Sequence, residues 1–571
     1  MKDRHTGMRT SKTIFWSKLA GSIFFILASS FWAIGQQPEC IVVQTDKPFY
    51  VSGETIWFKV FLLNDSFEVK SRVLHVDLVS HQNKTIIRQK LLIDNRTSFG
   101  SITLPMDAEE GYYRFRAYTH YNLNFEPVHL YETILPVYQL DNENIVYSNR
   151  IKEDRVQLTG TSGVLVITDK EVYKPRDLLT VSVQINGLKG TGKKSNFSVS
   201  ILPLDVAGYE SQLIENQSKC AESSLTEDQL IDAEQTLFFE GRLQDPKTKL
   251  SVNSDLISIY MDKTSQFIRA SVVDGEIQVP VPDYWGQEIF QIFNLDPYQP
   301  AVVEYVPEPQ HILASPYYNS EQPARPQVVL KYMELMKKRL KIIELFDLYK
   351  PLVPGKKISS ARKPDVVYLT KDYRQIFSFE EFINEAIINV KVRTINDKKT
   401  VRMFNREAGS LFIDHPWYIV DGYLTFDENE VLGIQYRDII EVRLFTKTST
   451  IRTYFEPFMW RNGIMEVITR DVKYSRKLKK NPNVVEIEGF SMLQKFKSTY
   501  TLSENEATPD LRGVMYWSPN VFTNEKGEAQ ITIPLSDDTG KFAIVVVGTT
   551  NFHDLLTGYG TFEIKHPLSE Y

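Results

Sequence analysis

The chain has 571 residues, 42% hydrophobic and 24% charged, with a formal net charge of −6. That length exceeds what one hydrophobic core serves and predicts roughly three to five domains of about 100–200 residues each. The balanced, slightly acidic composition lacks the basic face that nucleic-acid binding requires, so no nucleic-acid partner is expected; the 12% aromatic content suits many short strands.

Taken in chain order, the first 35 residues read as a secretory signal. Arg9, Lys12 and Lys18 precede "LAGSIFFILASSFWAIGQ", and Ala33-Ile34-Gly35 forms a small-x-small exit, predicting cleavage near Gly35. The rival is a retained anchor, but an apolar run of about 17 residues sits at the short limit for a membrane span. No later stretch is long and apolar enough to be a transmembrane helix. The mature chain is therefore expected to be exported. Its two cysteines, Cys40 and Cys220, make no disulfide framework, and a bridge between them stays open. Gln37-Pro38-Glu39 before Cys40 is not a lipidation signal.

Two segments then open alike. "VQTDKPFYVSGETIWFKV" from Val43 and "VITDKEVYKPRDLLTVSV" from Val166 align without a gap, 123 residues apart. Each begins with a Thr-Asp-Lys turn signal and runs into period-two alternation: Ile56, Phe58 and Val60 in the first copy, Leu179, Val181 and Val183 in the second. This predicts a half-buried strand in each and a duplicated β-sandwich opening. In "RVLHVDLVS" the Leu74/Val76/Leu78 face is the expected core. "GYYRFRAYT" follows, punctuated by Gly100 and Gly111. The "TDKPFYVSGETIWFKVFL" and "GYYRFRAYT" stretches resemble the opening and closing motifs of the macroglobulin-like domain of α2-macroglobulins and bacterial surface proteins, which implies a seven-stranded antiparallel sandwich.

A polar stretch, "ENQSKCAESSLTEDQLIDAEQ", reads as a linker or a short surface helix. The β segment from "FFEGRLQD" through "LISIYM" to the Asp274-Gly275 turn resembles a carboxypeptidase-regulatory-like sandwich. In "PQVVLKYMELMKKRLKIIELFDLY", Pro326 and Pro351 bracket an apolar stripe of Leu330, Met333, Met336, Leu340, Ile343 and Leu348, predicting a helix of about six turns. A capping box at Ser378–Glu381 starts another. "HPWYIVDGYL", "YRDIIEVRLF" and "RNGIMEVITR" follow in order. Pro416, Tyr418–Gly422, Asp438, Ile439, Glu441, Val442, Asn462–Ile464 and Val467–Arg470 resemble the plug domain of TonB-dependent outer-membrane transporters. About 100 residues remain after it, where a transporter barrel of about 22 strands needs several times as many. The last stretch, with its Asn524–Gly527 turn, resembles later macroglobulin domains.

These readings divide the chain into a signal (1–35), a macroglobulin-like sandwich (36–138), a second such sandwich with linker (139–235), a carboxypeptidase-regulatory-like sandwich (236–310), a helical connector (311–364), a plug-like domain (365–475) and a C-terminal macroglobulin-like domain (476–571). The expected fold class is mainly β, a multidomain array of immunoglobulin-like and macroglobulin-like sandwiches with one α+β plug-like domain.

No catalytic constellation emerges, and no catalytic, cofactor-binding or metal residue is assigned. The nine histidines are scattered, with His75 and His81 in or beside a strand. Asp421-Gly422 and Asp537-Asp538 read as turns. The thioester motif of macroglobulins is absent around both cysteines. Asn83, Asn95, Asn196 and Asn216 open Asn-x-Ser/Thr triplets that matter only in a eukaryotic secretory route. The expected function is a non-enzymatic envelope protein, periplasmic or at the outer membrane, binding a protein partner such as a TonB-dependent transporter or its complex. The alternatives are a protease-obstructing protein with a bait segment in Gln212–Gln235, and a carbohydrate-binding protein stacking sugars on Trp57, Trp417 or Trp517.

Overall fold

The computed structural model describes residues 37–63, 69–125, 130–140, 163–185, 194–209, 231–294, 302–306, 322–345, 362–373, 375–395, 398–470, 474, 483–496, 509–549 and 555–566. The predicted signal and Cys220 lie outside them. The fold is mainly β, and it divides into two compact units.

The first unit holds two sandwiches of one topology. In the first sandwich, a three-stranded sheet runs Cys40–Thr45, Thr55–Leu63, Thr97–Thr103. It faces a five-stranded sheet in the order Tyr50–Val51, Tyr131–Tyr138, Gly111–Tyr118, Val73–Val79, Thr85–Leu92. The second sandwich repeats this: Val164–Thr168, Leu178–Ile185 and Glu528–Pro534 face Val172–Tyr173, Leu556–Ile564, Gly540–Thr549, Asn196–Pro203 and Tyr516–Phe522. The sequence predicts two separate domains over 139–235 and 476–571; instead, strands from both stretches complete one sandwich. The chain leaves after Asn196–Pro203 and returns at Tyr516–Phe522. Accordingly, the Asn524–Gly527 turn, with Gly527 at φ 79°, joins strands of opposite sheets rather than closing a hairpin.

The repeated opening is a hydrogen-bonding unit. In the first copy Asp46 Oδ1 accepts from the Tyr50 hydroxyl at 2.6 Å and from Trp57 N–H at 2.9 Å. Glu54 accepts from Val51 N–H at 2.8 Å. In the second copy Asp169 accepts from the Tyr173 hydroxyl at 2.8 Å and Thr180 N–H at 2.7 Å, and Asp177 from Lys174 N–H at 3.0 Å. Each carboxylate ties a turn to the strand that follows, and the Tyr between them sits in a short strand pairing in parallel with the last strand of its sandwich. The surroundings differ. Burial raises the Asp46 carboxyl above the ordinary aspartate range, whereas the solvated Asp169 is held below it, chiefly by the Tyr173 hydrogen bond.

The helix Gln327–Leu345, inside the predicted span, explains the difference. Val329, Tyr332, Met333 and Met336 bury against Phe49, Val51, Tyr138 and Leu202. The Tyr332 hydroxyl donates to Glu54 at 2.7 Å, and Lys47 lies 3.3 Å from Glu54 and 3.9 Å from the Tyr50 ring centroid. Just before the helix, the buried Arg325 forks onto the buried Glu110. Such a pair adds little net stability, yet removing one partner strands a buried charge.

Strand Thr55–Leu63 is not half-buried as the alternation predicts. Ile56, Phe58 and Val60 fill the first core, but Lys59, Phe61 and Leu63 on the other face are buried as well. The second sandwich covers them: Phe61 and Leu63 pack with Val547, and Ser200 donates to the Asp46 carbonyl at 2.7 Å. Cys40, in the same cluster, is disulfide-bonded.

In the second unit, a third sandwich pairs Glu276–Val281, Leu237–Gln244, Val302–Tyr305 in one sheet and Gln266–Val272, Ser254–Met261, Gln287–Asn294, Val484–Glu488 in the other. Its last strand again follows an insertion, here the α+β domain. That domain is a mixed sheet in the order Val366–Leu369, Ile439–Phe445, Ile464–Thr469, Trp417–Val420, Tyr423–Thr425. "WYIV", "IIEVRLF" and "IMEVIT" do pair, the first two each against the third, in parallel and antiparallel register. Helix Phe379–Glu385 starts at Ser378, whose hydroxyl accepts Glu381 N–H at 3.1 Å, and buries Phe379, Phe382 and Ile383 in this core. Tyr260 of the third sandwich belongs to the same core, with Phe267 and Phe293 packed against it. The sandwich thus supplies a wall for the sheet, and Gln291 accepts Leu424 N–H at 3.0 Å.

Candidate functional site

One polar cluster brings together groups that the sequence scatters. His75 sits mid-strand in Val73–Val79, on the face opposite the Leu74/Val76/Leu78 core. His120 opens the short helical turn His120–Asn124, capped by Thr119. Glu234 lies in an extended strap, residues 231–235, and is 159 residues from His75. The His75 Nε2 to Glu234 Oε2 distance is 2.8 Å, and the His120 Nδ1 to the same oxygen 3.3 Å. The two imidazoles stack with centroids 4.2 Å apart and planes 7° from parallel, and Tyr118 also stacks on His75, centroids 5.4 Å apart. His75 and Glu234 are buried, and His120 borders solvent.

Independent hydrogen bonds fix each element. Glu39 accepts from Lys70 N–H, Ser71 N–H and the Thr119 hydroxyl at 2.7, 2.9 and 2.6 Å, and its carbonyl accepts from the Asn122 side chain at 2.8 Å. This holds the turn that carries His120. The strap is docked by Asn124, whose amide donates to the Ile231 carbonyl at 2.8 Å and accepts Ile231 N–H at 2.7 Å. Arg72 and Val73 N–H donate to the Glu234 carbonyl at 2.8 and 3.3 Å. Of the bait segment considered in Gln212–Gln235, residues 231–235 are therefore pinned to a sheet, and 212–230 lie outside the described residues.

Asp537 pairs with Arg176 through two bonds of 2.7 and 2.8 Å, and Asp538 accepts Arg512 N–H at 2.8 Å; both organise a loop, as the turn reading expects. Trp417 and Trp517 are buried and offer no sugar-stacking face, and Trp57 is half-buried with its edge on Phe496, centroids 5.4 Å apart. Asn83 and Asn95 take left-handed turn conformations.

Asp421 is more than a turn residue. It is buried at φ 51°, and its carboxylate accepts Thr469 N–H at 2.7 Å and the Thr469 hydroxyl at 2.5 Å. The "VDG" and "VIT" stretches thus lock one another at the end of a parallel strand pair. Read as a turn residue, Asp421 is expected to tolerate replacement by Ala with the protein still folded and no enzymatic activity lost. From these contacts we expect Asp421→Ala to cost about 2–3 kcal/mol, since two carboxylate hydrogen bonds are lost and Ala tolerates that φ less well than Asp. Urea denaturation monitored at Trp417 tests this; wild-type stability in the variant would refute it.

A buried charge cluster sits nearby. Glu466 is 1% exposed, 3.5 Å from Arg443 and 4.0 Å from Arg362. Arg362 also donates to the Tyr260 hydroxyl and Ser265 Oγ, each at 3.0 Å. Burial raises the Glu466 carboxyl, opposed by the two guanidiniums.

No protein-family model matches the chain, and no curated protein matches it significantly. Among solved structures, it is similar to Salmonella α2-macroglobulin reacted with methylamine, at 11% identity and TM-score 0.25, over 94% of this chain and 40% of that one. The native conformation of Escherichia coli α2-macroglobulin gives 11% identity and TM-score 0.25 over 93% and 40%. The N-terminal Ig1-2 module of the Drosophila receptor tyrosine phosphatase DLAR gives 9% and 0.14 over 47% and 98%. The chain spans about 40% of the length of these macroglobulins. At such scores the fold assignment rests on the sheets described above.

Proposed function

We propose that this chain is an exported, non-enzymatic binding protein of the cell envelope, and that its α+β domain is the module presented to a partner. The partner is a TonB-dependent transporter of the outer membrane or a complex containing one. The observation that carries this reading is a set of exposed apolar side chains on that domain. Phe377 is 88% exposed, Ile388 82%, Ile413 68% and Leu411 55%. Leu411 lies directly across from the partly exposed Phe404 in the hairpin sheet. The Leu411 and Phe404 pair places two exposed apolar side chains side by side, which suits a contact surface.

The resemblance of the domain's three strand motifs to transporter plugs supports the choice of partner. Seating against the third sandwich gives the plug-like sheet an apolar wall within this chain. No helix among the described residues is long and apolar enough to cross a membrane.

Affinity capture with the tagged full-length protein from detergent-solubilised envelopes tests the proposal. A TonB-dependent barrel protein is expected in the eluate, and its recovery should fall with Leu411→Asp combined with Ile413→Asp. Recovery of no outer-membrane protein above background would overturn it.

A further inference from the structure

We infer that His75, His120 and Glu234 bind one divalent first-row transition ion, which fastens strap 231–235 to the first sandwich. Two imidazoles and a carboxylate are a donor set suited to Zn²⁺, Ni²⁺, Co²⁺ or Cu²⁺, and the two nitrogens disfavour the oxygen-seeking Mg²⁺ and Ca²⁺. The three donor atoms lie within 4.8 Å of one another, with the carboxylate oxygen 2.8 and 3.3 Å from the ring nitrogens. For bonds of about 2.1 Å in a tetrahedral shell, donors stand roughly 3.4 Å apart, so small side-chain shifts make room for the ion.

The scaffold is set for this. A strand, a capped turn and a docked strap each hold one ligand, with their backbones fixed by bonds that do not involve the cluster. The solvent border at His120, 20% exposed on its side chain, leaves a position for water as fourth ligand.

One adjustment is required. The lone pair of an imidazole nitrogen lies in the ring plane, and one ion cannot lie in both planes of a near-parallel stack. His120, at the solvent edge, is the ring that must turn, while His75 stays clamped against Tyr118. Without the ion, Glu234 is hydrogen-bonded to His75 and lies 3.3 Å from the His120 ring nitrogen. With it, the carboxylate and both imidazoles exchange those bonds for coordination.

The test uses the tag-free full-length protein with Zn²⁺ alone. After zinc loading and gel filtration, elemental analysis is expected to find one zinc per chain, and zinc should raise the melting temperature. Co²⁺ loading should give visible ligand-field bands of a low-coordinate nitrogen and oxygen site. His120→Ala, at the solvent edge, leaves His75 as the partner of Glu234, so its metal-free melt should remain cooperative and serves as its own reference. It should lose the cobalt bands and weaken zinc by at least about tenfold, the scale on which even outer-sphere partners act. Zinc should also slow amide exchange over residues 231–235. Absence of zinc in the wild type, or equal zinc binding by His120→Ala, would overturn the site. Zinc binding without slower exchange in the strap would overturn the fastening.

Discussion

Val467→Asp is expected to abolish the cooperative unfolding transition of the α+β domain. Val467 lies in the central strand of the mixed sheet, fully buried, opposite Val420 on one neighbour and Val442 on the other. A carboxylate there has no partner among the described contacts of that face, which is lined by the apolar core of Tyr418, Leu444 and Met465. An unpaired buried charge costs several kcal/mol, roughly the whole stability of a small domain. The alternating pattern of "IMEVIT" would place this test at Ile468, which turns out half-buried and outside the core cluster. Ile468→Asp is therefore expected to cost only about 1–2 kcal/mol. Thermal melts of the two variants, followed by near-UV circular dichroism, separate the cases. A wild-type melt for Val467→Asp would refute the strand placement.

Lys59→Met is expected to stabilise the protein and to remove part of its pH dependence. Lys59 is fully buried between the first two sandwiches, where its ammonium donates to the Asn196 carbonyl at 3.2 Å and lies 5.0 Å from the Phe61 ring centroid. Desolvation lowers its pKa from 10.5 to about 7. The unfolded chain therefore binds one more proton than the folded chain between about pH 7 and the unfolded value, and stability rises with pH across that window. Below about pH 7 both states are protonated and the full penalty is present. Replacing the ammonium by a thioether of similar length removes that penalty at the expense of one hydrogen bond. We expect a gain of roughly 2–4 kcal/mol near pH 6, shrinking towards pH 10. Denaturation at several pH values reads this directly. Equal or lower stability of Lys59→Met near pH 6, with the wild-type pH slope retained, would show that the lysine is not desolvated as described.

Features legible in the sequence are those carried by local chemistry. The Asp-Lys-x-x-Tyr turns, the Ser378 capping box and the helix beginning after Pro326 each depend on residues a few positions apart. The three strand motifs of the α+β domain carry their pairing in their own apolar runs. The His75, His120 and Glu234 cluster had no such signal. Its members come from a strand, a short turn and a strap, and no fixed spacing links them.

By itself, then, the sequence determined a mainly β chain, its duplicated sandwich opening, and an α+β domain among the sandwiches. Period-two patterns and turn residues act through contacts within one strand or between neighbours, so they survive in any tertiary setting. Only the tertiary structure decided that strands from 164–203 and 516–564 complete one sandwich, and that Lys59 and Glu466 are buried. The second face of a sheet is closed by whatever distant segment lies against it. The strand beneath reads the same whether water or another sheet covers that face.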